Sequence, residues 1–145
     1  MNLRKIYMLM FFIGVGIIVS CSKDGHNPIP YARVSFVAYP DAIDNIAIGD
    51  CRIFNYAYGR GLRGVVIFRF SLTDFKIYES ACPHDFTDPQ AIVQKVKGEP
   101  FVVCPVCKTK YNLLDGSVVS GVSKYGLLEY HYSYDPQTGV LNVYN

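Results

Sequence analysis

Residues 102–111 read VVCPVCKTKY, and both fold and chemistry turn on what Cys104 and Cys107 hold. C-x-x-C spacing serves a redox disulfide, a zinc site or an iron–sulfur centre. A thioredoxin-like dithiol opens a helix within a βαβ unit. Here the apolar Phe101-Val-Val precedes the pair and nothing helical comes after it. Upstream stands Ala81-Cys82-Pro83-His84-Asp85, so the two stretches together give C-x-H, nineteen residues, then C-x-x-C. Each comes after a strand-like run, FKIYES (75–80) or FVV (101–103), which puts both on loops at strand ends. Three thiolates and an imidazole suit zinc or iron–sulfur and exclude calcium or magnesium. One intervening residue makes it awkward for Cys82 and His84 to reach a single ion, whereas a two-iron cluster lets them address different irons.

Outward from these loops the chain reads as short strands. In RVSFVA (33–38), Val34, Phe36 and Ala38 alternate with Arg33 and Ser35, the period of a half-buried strand. RIFNYAY, GVVIFRF and FKIYES are β-branched and aromatic runs separated by GRGLR and SLTD. GLLEYHYSY, the turn DPQTG and VLNVYN close the chain. The pattern predicts an all-β protein, an antiparallel sandwich or barrel. Only DPQAIVQKV (88–96) predicts a helix, with Asp88 as cap and Pro89 in the first turn. Gly59-Arg-Gly61-Leu-Arg-Gly64 matches G-x-G-x-x-G, but a dinucleotide site needs a helix after it. VVIFRF stands there instead, so a glycine-rich hairpin turn is expected. Cys51 and the Tyr residues at 125, 130, 132 and 134 are expected to pack, and His131 to lie on an outer face with Glu129.

With both loops and the strand order in place, the chain resembles a Rieske iron–sulfur domain from about Tyr31 to Tyr144. That family carries C-x-H in one loop and C-x-x-H in the next. Pro105 fills the usual proline, Tyr111 and Asn112 supply an aromatic and a polar residue, and Gly121, Leu127–Tyr130 and Gly139–Val143 match the return. Cys107 stands where the second histidine belongs and Lys108 where a glycine belongs. The resemblance implies a Rieske-like antiparallel β-sandwich or barrel with a 2Fe-2S centre, Cys82 and Cys104 on one iron, His84 and Cys107 on the other. Thr109 and Tyr111 fall where hydroxyls hydrogen-bond the cluster and its ligand. A third thiolate implies a potential between the Rieske range of about −150 to +300 mV and the all-cysteine value near about −400 mV. Zinc, or a metal-free interaction module on the same fold, remains the alternative.

The N-terminus predicts a destination. MNLRK is basic, residues 6–19 are an apolar run, and Ser20-Cys21 comes next. That is the pattern of a secretory signal peptide, and it is too short for the ~30 Å hydrocarbon core. Ile18-Val19-Ser20-Cys21 resembles a bacterial lipobox. The expected organisation is a lipoprotein signal peptide over 1–20, acylation at Cys21, a tether over 21–30 and one domain over 31–145. Loss of Arg4 and Lys5 with the signal lowers the formal charge from +2 to 0, so no basic stripe invites nucleic acid. No Ser-His-Asp set, paired carboxylates or nucleotide motif is visible. The expectation is an electron carrier of the cell envelope that serves a redox partner protein, held to the membrane by lipid.

Overall fold

The computed structural model describes residues 26–145. The predicted signal peptide, Cys21 and the start of the tether lie outside them. The described residues contain ten strands and no α-helix: β1 (Ser35–Ala38), β2 (Cys51–Asn55), β3 (Gly64–Arg69), β4 (Phe75–Glu79), β5 (Gln94–Lys95), β6 (Phe101–Val103), β7 (Lys110–Asn112), β8 (Val118–Ser120), β9 (His131–Asp135) and β10 (Val140–Tyr144). They pair antiparallel throughout, in three sheets ordered β1-β10-β9, β2-β3-β4 and β5-β6-β7-β8. The all-β antiparallel expectation holds.

The sheet β2-β3-β4 is the middle layer, and β3 shows why. Its run GVVIFR is buried at every position, the mark of a strand covered on both faces. Because side chains alternate, Val65 and Ile67 join Phe54, Phe75, Ile77, Leu141 and Val143 in one core. Val66 and Phe68 face the other way, with Tyr78, Cys82, Val102, Cys104, Tyr111 and Leu113 in a second core against β5–β8. Cys51 is buried there as expected.

Before β9 the chain runs beside β4: Glu79 N–H donates to Leu128 O and Tyr130 N–H to Ile77 O, both at 2.8 Å. At the end of β4 lies a fully buried carboxylate, Glu79. It accepts hydrogen bonds from Leu62 N (2.7 Å), Arg63 N (3.0 Å), Ala81 N (3.0 Å) and Tyr130 Oη (2.7 Å). The G-x-G-x-x-G stretch is the expected turn between β2 and β3, and it wraps this carboxylate. Gly61 sits at φ +68°, and a Cβ there would collide with Glu79 Oε2. The loop cradles an anion after all, but the anion is the protein's own side chain.

The helix predicted over 88–96 is not formed. Asp88 Oδ1 accepts from Gln90 N at 2.8 Å, which makes a tight turn rather than a helix cap. Beyond it Ala91 and Val93 are buried while Gln94 is exposed, a period of two that suits a strand. Cys82 N donates to Ala91 O and Val93 N to Ser80 O, both at 2.8 Å. Pairing with the end of β4, and then with β6, overrides the local helical signal.

Glu79→Ala leaves three backbone N–H groups and a tyrosine hydroxyl without their acceptor, and should cost about 3–5 kcal/mol in urea unfolding. Burial pushes the Cys51 thiol up to about 11. The unfolded chain therefore loses this proton first, near pH ~8.5, and the folded chain holds it longer. Stability linked to Cys51 is complete below that pH and falls as pH rises toward 11. Iodoacetamide at pH 8 should leave Cys51 unmodified in the folded protein and alkylate it in urea.

Candidate metal centre

Two loops from different sheets meet at one end of the second core. The first leaves β4. Ala81, bridged to Ile92 and tied to Glu79, fixes where Cys82 begins a turn in which Asp85 N donates to Cys82 O at 3.2 Å. The second is the β6–β7 hairpin. Cys104 N donates to Thr109 O at 2.9 Å, and Lys108 N to Cys104 O at 3.0 Å. Lys108 closes that turn at φ 61°, left-handed backbone that suits glycine and costs a residue with a Cβ about 1–2 kcal/mol.

The loops bring Cys82, Cys104 and Cys107 together. Cys82 Sγ lies 3.6 Å from Cys107 Sγ. One ligand atom each from Cys82, Asp85, Cys104 and Cys107 fall within 4.8 Å of one another. Cys82 and Cys104 are fully buried, and Cys107 is half-buried. His84, expected among the ligands, stands outside this group. Its ring is 42% exposed and its Nδ1 is 2.8 Å from Asp85 Oδ1.

Two hydroxyls reach the thiols. Tyr111, fully buried, places its hydroxyl 3.1 Å from Cys82 Sγ. Thr109 Oγ1 accepts from Cys107 Sγ at 3.2 Å, Val122 N at 3.2 Å and Ser123 N at 3.3 Å. Gly121 permits that approach, since a Cβ there would stand 2.5 Å from Thr109 Cα.

Burial pushes the Cys107 thiol up to about 12, against the pull of Thr109. It raises Cys104 as well. Burial, then the neighbouring Cys82, raises the Tyr111 phenol. Asp85 goes the other way: burial would raise its carboxyl, but contacts with Cys107 and His84 outweigh this and lower it. Burial thus favours the protonated thiol at Cys104 and Cys107, and a bound metal would favour the thiolate instead.

The donor set fits a thiophilic centre on two counts. Tetrahedral bonds of about 2.3 Å to sulfur put neighbouring sulfurs roughly 3.8 Å apart, close to the observed pair. Asp85 Oδ2 is buried with no hydrogen-bond partner, on a residue that brings one carboxylate oxygen within 4.8 Å of the three thiol sulfurs.

Asp85 is not among the ligands expected from the sequence. The signal that could have found it is spacing, since Cys82-Pro-His-Asp85 repeats the register of Cys104-Pro-Val-Cys107.

No protein-family model and no curated protein matches the chain. Among solved structures, a protein assigned as the small subunit of an NADH-dependent nitrite reductase from Mycobacterium tuberculosis is 20% identical, over 79% of this chain and 97% of that one, with a TM-score of 0.48. A protein assigned as the small subunit of a nitrite reductase NADPH oxidoreductase is 15% identical, over 78% and 98%, with a TM-score of 0.44. The E. coli protein NirD is 17% identical, over 80% and 96%, with a TM-score of 0.43. Likenesses at these identities and scores are too distant to assign an activity.

Lys108→Gly relieves the left-handed strain at some entropic cost in the unfolded chain. It should raise the urea midpoint by the equivalent of up to about 1 kcal/mol, with no change in the metal bound per chain.

Proposed function

We propose that this chain is an exported, lipid-anchored electron carrier of the cell envelope, with a 2Fe-2S centre on its two cysteine loops. The observation that carries the reading is the convergence of three thiols, from two loops on separate sheets, at a buried end of the core. Thiolate is the commonest protein ligand of iron–sulfur clusters. Cys82, Cys104 and Cys107 would hold the group, and the Rieske resemblance adds His84. When bound, such a centre supplies one-electron transfer.

The chain's own residues supply the setting. Val102, Leu113 and Leu127 share a core with Cys82 and Cys104 and would help keep water from the centre. The Tyr111 hydroxyl, aimed at Cys82 Sγ, and the Thr109 hydroxyl, beside Cys107 Sγ, would stabilise added negative charge on sulfur. Lipid at Cys21 would keep the domain at the membrane, where a redox partner protein meets it.

A single zinc ion is the second reading. It is favoured by the 3.6 Å approach of Cys82 Sγ and Cys107 Sγ, the spacing of two ligands on one ion rather than on opposite irons.

One preparation tests both. Protein is extracted by detergent from its native membranes without added metal, and iron, zinc and acid-labile sulfide are measured per chain. Two irons with two sulfides are expected. One zinc without sulfide selects the second reading, and neither metal overturns both. Recovery of the protein in the soluble fraction would sink the anchor.

A further inference from the structure

We infer that Asp85, and not His84, supplies the fourth ligand of the three-thiol centre, and that His84 positions Asp85. The inference rests on the reading that this group of side chains holds a metal.

Each loop presents Cys-Pro-x-x and returns a second donor three residues on, Asp85 in the first and Cys107 in the second. A three-residue step lets both side chains of a turn reach one centre, as in the short C-x-x-C arms of zinc sites. In the first loop the backbone bond from Asp85 N to Cys82 O, at 3.2 Å, folds the two donors onto the same side. The result is two matching arms, Cys82/Asp85 and Cys104/Cys107, closed on one another with all four donor atoms within 4.8 Å.

The two carboxylate oxygens of Asp85 differ in their surroundings. Oδ1 accepts from the His84 ring at 2.8 Å. Oδ2 is buried and unpartnered, and a buried acceptor left in that state costs about 1–3 kcal/mol. A cation bound by that oxygen would remove the cost. His84 itself faces solvent, with Nδ1 already engaged by Asp85. A histidine that donates to a ligating carboxylate fixes its orientation and its charge, the ordinary role of a partner behind a metal ligand. The group so formed has three thiolates and one carboxylate, a donor set for a borderline or soft ion such as zinc, cobalt(II) or iron.

The test adds cobalt(II) to full chain stripped of metal under reducing conditions. It reads the thiolate-to-cobalt absorption and the affinity in competition with a chromophoric chelator, while circular dichroism reports the fold. Asp85→Ala should weaken binding by more than the roughly 10- to 100-fold that loss of a supporting partner costs. Asp85→Cys should restore binding and add thiolate-to-cobalt intensity. His84→Ala should weaken binding by about 10-fold and leave the thiolate intensity unchanged, and His84→Gln, which keeps a donor, should recover most of that loss.

If Asp85→Ala and Asp85→Cys both bind as wild type while His84→Ala loses cobalt, His84 is the ligand. The inference then falls and the metal centre stands. If the wild-type chain takes up neither cobalt nor zinc, the metal reading falls and takes the inference with it.

Discussion

One buried carboxylate holds together the parts on which the site depends. Glu79 receives hydrogen bonds from the β2–β3 loop, from a residue just past its own strand and from the tyrosine that leads into β9. A charge taken out of water is tolerable only when its lone pairs are filled, and here four donors fill them. Ala81, one of those donors, immediately precedes Cys82. The glycine-rich loop, the meeting of β4 with residues 128–130 and the take-off of the first cysteine loop are therefore tied together through a single side chain. In effective terms the candidate site begins at Glu79, three residues before Cys82.

Much of the architecture was legible because alternation is a local signal. RVSFVA, GVVIFRF, FKIYES and VLNVYN all contain strands, while the covering of β3 on both faces came from the structure. Segment 88–96 misled because Asp-Pro opens both turns and helices, and the choice was made by its neighbours: the end of β4 and β6 offered strand partners. Alternation along FKIYES puts Glu79 on the face of Phe75 and Ile77, but only the fold reveals the four donors waiting for it. G-x-G-x-x-G was rightly read as a turn, yet its backbone amides do grip an acid, within the molecule.

The cysteines show the same division. Type and spacing placed Cys82, Cys104 and Cys107 on loops, and the structure gathers all three. Which neighbour of Cys82 turns inward was not readable, because His84 and Asp85 differ by one step along a tight turn and that step decides the face. Resemblance pointed to the histidine; the turn leaves the His84 ring 42% exposed and brings a carboxylate oxygen of Asp85 within 4.8 Å of the thiols. Lys108, at a left-handed position that the resemblance gives to glycine, shows that the hairpin geometry persists without the residue that most easily adopts it.

The two cores on opposite faces of β2-β3-β4 have a further consequence. The core shared with β1, β9 and β10 contains none of the candidate ligands, whereas the core toward β5–β8 includes Cys82 and Cys104, with Cys107 packed at its margin. An ion held by loops from both sheets would act as a staple across the second core alone. Occupancy would then set the opening free energy of β5–β8, seen as slowed amide hydrogen exchange there, while the opposite half kept its own protection. The two halves would then behave as cooperative units that share a sheet, one resting on its own packing and the other also on an ion at its thiols.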